Sequence, residues 1–119
     1  MKSFHDLQVW RKSHELTLAI YVATKEYPRD ELFGLTSQIR RACASIPANI
    51  AKGCGRNSDN ELRRFLEIAM GSASELEYHL LLSKDLNYIS ESKHTQLNES
   101  TCEIKRMLSG FIQKLKADR

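Results

Sequence analysis

Apolar residues recur along the chain with the period of an α-helix, and strand-like alternation is absent. The first helical segment spans about residues 6–26 and carries two apolar rows. One row is Leu7, Trp10, Leu18 and Tyr21, and the other is Val9, Leu16, Ile20 and Ala23. One row is enough to face the core of the subunit, and a second row would be an exposed patch on a monomer. We therefore predict a homo-oligomer whose subunit interface is formed by Val9, Leu16, Ile20 and Ala23.

Three further segments have the same period. They lie at about residues 33–54, 59–86 and 90–117. Gly53 and Gly55 end the second segment, Ser58 and Glu61 fit a capping box at the start of the third, and Ser90 is placed to cap the fourth. Short connections make sequential helices antiparallel. The predicted fold is all-α: an up-down-up-down antiparallel four-helix bundle that forms a single domain over residues 1–119.

Pro47 lies in the middle of the second segment, in the stretch RRACASIPANIAKGCGR. Its nitrogen has no hydrogen to donate, and its ring clashes with the carbonyl of Cys43 one turn earlier, which costs ~3 kcal/mol in a straight helix. We predict that the second helix is kinked at Pro47. Small residues surround this position, and others occupy residues 71–74 of the third segment. Because small side chains let helices approach closely, we expect these two narrow regions to contact each other.

Length and composition restrict the class of protein. A chain of 119 residues with 41% hydrophobic and 28% charged residues is expected to fold around one core. No stretch resembles a signal peptide or reaches the ~20 apolar residues that span a bilayer. We therefore expect a cytoplasmic protein without a membrane partner.

Residues suited to catalysis or metal binding are sparse. Cys43, Cys54 and Cys102 are odd in number and widely spaced, which favours reduced thiols over disulfides or a zinc site. Cys54 lies near a cation and a helix start, where a thiol pKa can be lowered. Glu75 and His79 stand one turn apart, but a metal site in a bundle needs more carboxylates and a second Glu-x-x-His. We predict no catalytic residues, no metal and no cofactor, and hence no enzyme.

The net charge of +3 is unevenly distributed. No acidic residue occurs from Leu32 to Ser58, whereas four cations lie in that stretch, and two more follow at the start of the third helix. Helix N-termini attract anions, and guanidinium groups can bind phosphates through two hydrogen bonds. We predict that RNA or DNA phosphates are contacted, without sequence readout, by Arg40, Arg41, Lys52, Arg56, Arg63 and Arg64.

These cations also have a structural interpretation. Arg40 and Arg41 could be solvated, or they could form salt bridges within the bundle, for example to Glu75 or Glu77, or between subunits. The loop cations could simply be solvated. In that case the protein would be a structural scaffold or a protein-interaction adaptor with no nucleic-acid ligand.

Four long motifs resemble a known family. They are Phe4-x-Asp6-Leu7-x-Val9-Trp10-x-Lys12-Ser13, Phe33-Gly34-Leu35-x-x-Gln38-x-Arg40-Arg41-Ala42, Ser45-Ile46-Pro47-x-Asn49-Ile50-Ala51-x-Gly53 and Phe65-Leu66-x-Ile68-Ala69-x-Gly71-Ser72-x-x-Glu75-Leu76-Glu77. Together they resemble the bacterial four-helix-bundle proteins encoded in intervening sequences of 23S ribosomal RNA genes, over about residues 4–115 of this chain.

The resemblance implies assembly as a homo-pentamer. It extends to the accessory variability determinant proteins of diversity-generating retroelements, which bind nucleic acid and a reverse transcriptase through basic surfaces. The resemblance implies no catalytic residues for this chain. Lys52 departs from the family pattern, which usually has an acidic residue there, and Cys54 replaces an aromatic or polar residue. The expected partners are copies of this chain, RNA or DNA, and a reverse transcriptase.

Overall fold

The computed structural model describes residues 3–117, which form helices and connections without strands. The four main helices are α1 (Gln8–Thr24), α2 (Leu35–Cys54), α3 (Asp59–Asp85) and α4 (Glu91–Ala117). Each observed bound lies within two residues of the expected one. Two short 3-10 helices, Phe4–Asp6 and Arg29–Glu31, precede α1 and α2. The apolar period does not indicate these short helices.

The four helices form an up-down-up-down bundle. α1 packs against α2, α2 against α3 and α3 against α4, and α4 closes the bundle against α1. Diagonal helices do not contact each other within the described residues. The bundle measures 46 × 23 × 20 Å. Since a helix of 27 residues such as α3 is about 40 Å long, the two longest helices run along most of the molecule.

The exposed row predicted for α1 is wrong, because its residues lie in the core of the subunit. Val9, Leu16 and Ile20 are 5%, 4% and 0% exposed, and Ala23 packs against the same core. The exposed apolar residues of α1 are instead Leu18, Tyr21 and Val22. Burial of the first set leaves no free surface there for a second subunit.

The physical reason lies in three small polar residues that extend the buried row of α1. Ser13, Thr17 and Thr24 are at most 9% exposed, and their hydroxyls donate to helix carbonyls at 2.7–2.9 Å. A buried hydroxyl that is hydrogen-bonded in this way no longer carries a large desolvation penalty. The row that faces the core is therefore longer than its apolar members suggest.

Pro47 lies inside α2, and the helix continues through it to Cys54. The proline leaves the carbonyl of Cys43 without its usual donor from the same helix. The hydroxyl of Thr17 on α1 lies 3.2 Å from this carbonyl oxygen and 2.8 Å from that of Ser13, so its single proton is shared between the two. A side chain of a neighbouring helix thus compensates for the proline. The kink at Pro47 stays a prediction.

The narrow regions of α2 and α3 contact each other, as predicted. The hydroxyl of Ser72 donates to that of Ser45 at 2.9 Å, and the amide of Asn49 donates to both oxygens of Ser45. Further along, a Cβ on Gly53 would lie only 2.9 Å from Cδ1 of Leu62. The small residues therefore set the close approach of α2 to α3 and fix the α2–α3 loop at one end of the bundle.

Serine caps form at two predicted helix starts, although the return bond of the predicted capping box, from the Ser58 N–H to the Glu61 carboxylate, does not form within residues 3–117. The hydroxyl of Ser58 accepts a hydrogen bond from the backbone N–H of Glu61 at 3.2 Å, and that of Ser90 accepts one from Lys93 at 3.0 Å. Each cap satisfies a free amide of the first turn. These caps fix where α3 and α4 begin.

The start of α2 is capped by a residue that the sequence does not signal. Glu31, in the preceding 3-10 helix, accepts a hydrogen bond from the backbone N–H of Leu35 at 3.1 Å and another from the Tyr88 hydroxyl at 2.8 Å. Both hydrogen bonds favour the ionised carboxylate and lower the pKa of Glu31. They also join the α1–α2 connection to the α3–α4 connection at the end of the bundle opposite the α2–α3 loop.

Candidate nucleic-acid interface

One end of the bundle collects cations from all four helices. Because sequential helices are antiparallel, the start of α1, the end of α2, the start of α3 and the end of α4 meet there. We call this surface the basic end. Its exposed or partly exposed cations are Arg11, Lys52, Arg56, Arg63, Arg64, Lys114 and Lys116.

Within residues 3–117 the cations of the basic end form no ion pair with a carboxylate. Among residues 3–117 the ion pairs between oppositely charged side chains lie elsewhere, for example Lys12 with Glu103 at 3.3 Å and Lys105 with Glu77 at 2.8 Å. Asp59 in the first turn of α3 lies at the basic end and reduces its positive potential, but it forms no ion pair there. The positive charges are therefore open to an anionic ligand.

Phe65 brings two of these guanidinium groups together. The Cζ atom of Arg56 lies 5.0 Å from the centre of the Phe65 ring, and that of Arg64 lies 6.0 Å from it. Cation–π contact orients a guanidinium without using its N–H donors. Beside Arg56 the α2–α3 loop encloses a shallow cavity of about 270 Å³, lined also by Asn57, Ser58 and Asp59, whose carboxylate opposes an anion there. This loop is the part of the basic end best arranged to hold a phosphate.

Arg63 and Lys52 flank this loop on α3 and α2. Lys52 is exposed in the last turn of α2. Arg63 is only partly exposed, and its Nε is buried without a hydrogen-bond partner among the described residues. A buried donor without an acceptor is costly, and only the exposed part of the Arg63 guanidinium can contact a ligand.

Arg40 has a structural role and does not belong to the basic end. Its Nε donates to the hydroxyl of Thr24 at 2.8 Å, and its guanidinium lies over the ring of Tyr21 at 4.8 Å. It also donates to the carbonyl of Tyr21 at 3.4 Å. A cation in contact with the last carbonyls of a helix complements the negative end of the helix dipole. Arg40 therefore joins α2 to the end of α1.

Arg41 is exposed, but it lies away from the basic end. About 16 Å of helix separate it from Lys52. It lines a polar groove of about 460 Å³ between α2 and α3, together with Gln38, Ser45, Ser72 and Glu75. The structure therefore does not bring the six predicted phosphate-binding residues into one site.

The salt bridges suggested for Arg40 and Arg41 do not form within the described residues. Glu75 instead contacts Nε2 of His79 at 2.9 Å, and Glu77 pairs with Lys105 at 2.8 Å. Neither arginine lies within 4.0 Å of a described carboxylate. Salt bridges from Arg40 or Arg41 to Glu75 or Glu77 of the same subunit are therefore a wrong prediction, whereas a solvated Arg41 and salt bridges between subunits stay predictions.

Sequence reasoning did not group three members of the basic end with the loop cations. Arg11 begins α1, and Lys114 and Lys116 end α4. The signal was present in the predicted topology, since an antiparallel bundle places the end of the fourth helix beside the start of the third. Charge runs read along the chain do not reveal this grouping.

Neither Cys43 nor Cys54 is an activated thiol. Burial raises the pKa of Cys43 to about 12, and partial burial also raises the pKa of Cys54. The lowered pKa suggested for Cys54 is wrong, because its side chain lies at the end of α2 and packs against the core.

Two further properties of the described chain bear on ligands. Residues 3–117 contain no group of three or more His, Cys, Asp or Glu side chains that could hold a metal ion. No helix in this part of the chain combines the length and the apolar character of a membrane span.

By its fold, the protein belongs to the class of small up-down-up-down four-helix bundles, and the described part of the chain has one basic end. The sequence matches the family of 23S rRNA-intervening sequence proteins over residues 5–110, and the chain belongs to that family. The fold is similar to a crystal structure from Bacteroides thetaiotaomicron, described as a protein with unknown function from the S23 ribosomal protein family. That comparison has a TM-score of 0.81 and 30% sequence identity, and it covers 87% of this chain and 97% of the other. No curated protein matches the sequence.

Proposed function

We propose that this protein is a non-enzymatic accessory factor that binds RNA or DNA phosphates through its basic end. The observation that carries the proposal is that Arg56, Arg63 and Arg64 have no carboxylate within 4.0 Å among the described residues. Guanidinium groups free of carboxylates bind phosphate oxygens through paired hydrogen bonds. The family is named for an intervening sequence of 23S rRNA, so RNA is the first ligand to test.

The arrangement favours recognition of the nucleic-acid backbone over recognition of bases. The cations come from four helix ends and a loop, and no helix projects from the bundle to enter a groove. Contacts of this kind position a protein on nucleic acid without reading its sequence. They also release counterions, so that the affinity falls steeply with salt.

Fluorescence anisotropy with a labelled single-stranded RNA and a labelled DNA duplex tests the proposal at low and moderate salt. The basic-end variant carries Arg56→Ala, Arg63→Ala and Arg64→Ala. A matched control changes three exposed cations at the opposite end of the bundle, Lys25→Ala, Arg29→Ala and Lys93→Ala. Both variants lose three positive charges. If only the net charge of the protein mattered, both would therefore bind nucleic acid equally weakly.

We expect the basic-end variant to bind at least tenfold more weakly, because it loses three charge-assisted contacts of about 1 kcal/mol or more each, whereas the control binds like the wild type. An unmodified protein that binds neither ligand at low salt would contradict the proposal.

We further propose that the protein works as a homo-oligomer. Exposed apolar residues lie on two diagonal helices, Leu18 and Val22 on α1 and Tyr78 and Leu81 on α3. Diagonal helices face opposite sides of a bundle, so each subunit has two different apolar surfaces. Contact between two different surfaces is heterologous, and such contacts form a ring when the rotation between neighbouring subunits closes. The resemblance to known family members implies five subunits, and a ring would repeat the basic end around its axis.

Light scattering coupled to gel filtration tests the assembly. We expect a particle several times heavier than the 13.7 kDa of one chain. The double variant Leu18→Glu, Val22→Glu should dissociate, because it places charges in an apolar contact. The control Thr95→Glu, Gln113→Glu adds the same charge at exposed polar positions of α4 and should not dissociate. A wild-type monomer at micromolar concentration would contradict the proposed ring.

A second candidate function is a scaffold or protein-interaction adaptor without a nucleic-acid ligand. Phe33 favours it, since this aromatic side chain is 94% exposed at the end opposite the basic end, and large exposed aromatic residues commonly anchor protein contacts. The resemblance makes a reverse transcriptase the protein partner to test. This function predicts that a purified reverse transcriptase binds the wild type, that Phe33→Ala abolishes that binding, and that neither RNA nor DNA binds at low salt.

A further inference from the structure

Four aromatic rings cluster where the chain enters α1, as two stacked pairs that contact each other at an angle. The Trp10 indole and the His14 imidazole are nearly parallel, with centroids 5.0 Å apart and an interplanar angle of 8°. Phe4 and His5 stack at 4.1 Å, and both rings contact Trp10, at 4.8 Å and 5.3 Å, tilted by 58° to the indole. We call these four residues the aromatic stack.

The two ends of the aromatic stack are open to solvent. Phe4 and Trp10 are partly buried, and Trp10 packs against the core, whereas His5 and His14 are exposed. Trp10 stacks on the ring of His14, whose side chain is otherwise exposed. Burial of apolar surface explains the position of Trp10, but it does not explain two exposed imidazoles stacked beyond it.

The aromatic stack lies beside the basic end, because it precedes and begins α1. Arg11 follows Trp10 in the chain and donates to the carbonyl of His5 at 3.0 Å. The 3-10 helix that contains Phe4 and His5 also packs against α2, which carries Lys52 at its end. Asp6 lies in the same 3-10 helix and opposes an anion there. Aromatic faces next to cations are the combination that binds single-stranded nucleic acid, with phosphates held by charge and bases held by stacking.

We propose that the aromatic stack is a base-stacking site for single-stranded nucleic acid, in which unpaired bases pack on the exposed faces of His14 and His5. This inference rests on the proposed function, since phosphate contacts at the basic end hold the strand that reaches the stack. It assigns the ligand class as single strands with accessible bases. Duplexes, whose bases are already stacked and paired, bind through the basic end alone.

Trp10 provides a direct measurement, because it is the single tryptophan of the chain. Its fluorescence is recorded during titration with a twelve-nucleotide RNA, with an abasic strand of the same length and with a duplex of the same length. We expect the RNA to change the Trp10 emission, whereas the abasic strand and the duplex bind without that change. Anisotropy of labelled strands confirms that each ligand is bound.

A double variant, His5→Leu and His14→Leu, removes both exposed rings but keeps side chains of similar size. We expect its affinity for the RNA to fall about thirtyfold or more, in line with two lost stacking contacts, while its affinity for the abasic strand and the duplex stays unchanged. His94→Leu, near the start of α4 at the opposite end of the bundle, is the matched control and should bind every ligand like the wild type. Circular dichroism verifies that each variant is folded.

The outcomes separate this inference from the proposed function. If the RNA, the abasic strand and the duplex bind equally well and none changes the Trp10 emission, the basic end binds phosphates and the stacking site is refuted. If no strand binds at low salt, both ideas fail. Because the comparison of RNA with the abasic strand uses the unmodified protein, it decides the question even where the double variant does not fold.

Discussion

Replacing Thr17 by valine tests how the fold accommodates a proline inside α2. Valine keeps the shape of threonine but has no hydroxyl, so the carbonyl of Cys43 loses the donor that compensates for Pro47. Cys43 is 0% exposed, and water cannot replace the hydrogen bond. An unsatisfied buried polar group costs about 1–3 kcal/mol. Because the bond is 3.2 Å long and its proton is shared, we expect a loss of about 1.5 kcal/mol.

This cost should depend on the proline. In a Pro47→Ala background the residue at position 47 regains an N–H that can donate to Cys43, as in a regular helix. Thr17→Val should then cost about 1 kcal/mol less than it does beside Pro47, which is a coupling of the size seen between residues that share a partner. The Ser13 carbonyl keeps its normal bond within α1 in both backgrounds.

Urea unfolding followed by circular dichroism measures the free energy of unfolding of the wild type, Thr17→Val, Pro47→Ala and the double variant. All four are compared at one fixed protein concentration, because assembly would also shift stability. Thr101→Val is the control. Thr101 is also 0% exposed, but its hydroxyl donates only to the Leu97 carbonyl of its own helix, at 2.8 Å. We expect no coupling between Thr101→Val and Pro47→Ala. Equal costs of Thr17→Val with and without Pro47 would refute the reasoning.

Three further predictions concern single side chains. Hydrogen bonds lower the pKa of Glu31. The ionised side chain therefore stabilises the fold fully above the ordinary pKa of about 4.3, and this stabilisation is lost as the pH falls through the lowered pKa. In thermal unfolding, Glu31→Gln should lose less stability on acidification than the wild type does. Ser72→Val removes a donor to Ser45 and should cost about 1 kcal/mol in urea, whereas Ser74→Ala, at an exposed position of α3, should change stability little. Burial raises the pKa of Cys43 to about 12, so mass spectrometry should find it alkylated by iodoacetamide only after unfolding. Alkylation of folded protein at this position would contradict its burial.

The helices could be predicted from the sequence because their signals are local. The apolar period sets the extent of α3 and α4, and Ser58 and Ser90 cap them where expected. The buried face of α1 could not be chosen in the same way, since Ser13 and Thr17 enter the core only where specific carbonyls accept their hydroxyls. Most of these acceptors lie in α1 itself, three or four residues earlier, and a pattern of apolar residues does not count hydroxyls that are satisfied in this way. Hydrophobicity alone favoured the wrong row as the interface.

The candidate site was predicted in part. Arg56, Arg63 and Arg64 are close in sequence, so a short loop was enough to bring them together. Arg40 has the same charge and a similar setting in the sequence, but it faces the end of α1 and uses its donors there. Lys114 joins the basic end only through the antiparallel order of the helices. Whether a cation belongs to the basic end therefore depends on the direction of its side chain and on its neighbours on other helices.

The most direct test of the central claim is the salt dependence of single-stranded RNA binding. The dissociation constant of the wild type, the basic-end variant and the opposite-end control is measured over a range of salt concentrations. Each phosphate contact on a single strand contributes about 0.7 to the slope of log affinity against log salt. We predict that losing Arg56, Arg63 and Arg64 reduces this slope by about two, while the control keeps the slope of the wild type. Equal slopes for all three proteins would contradict phosphate binding by the basic end.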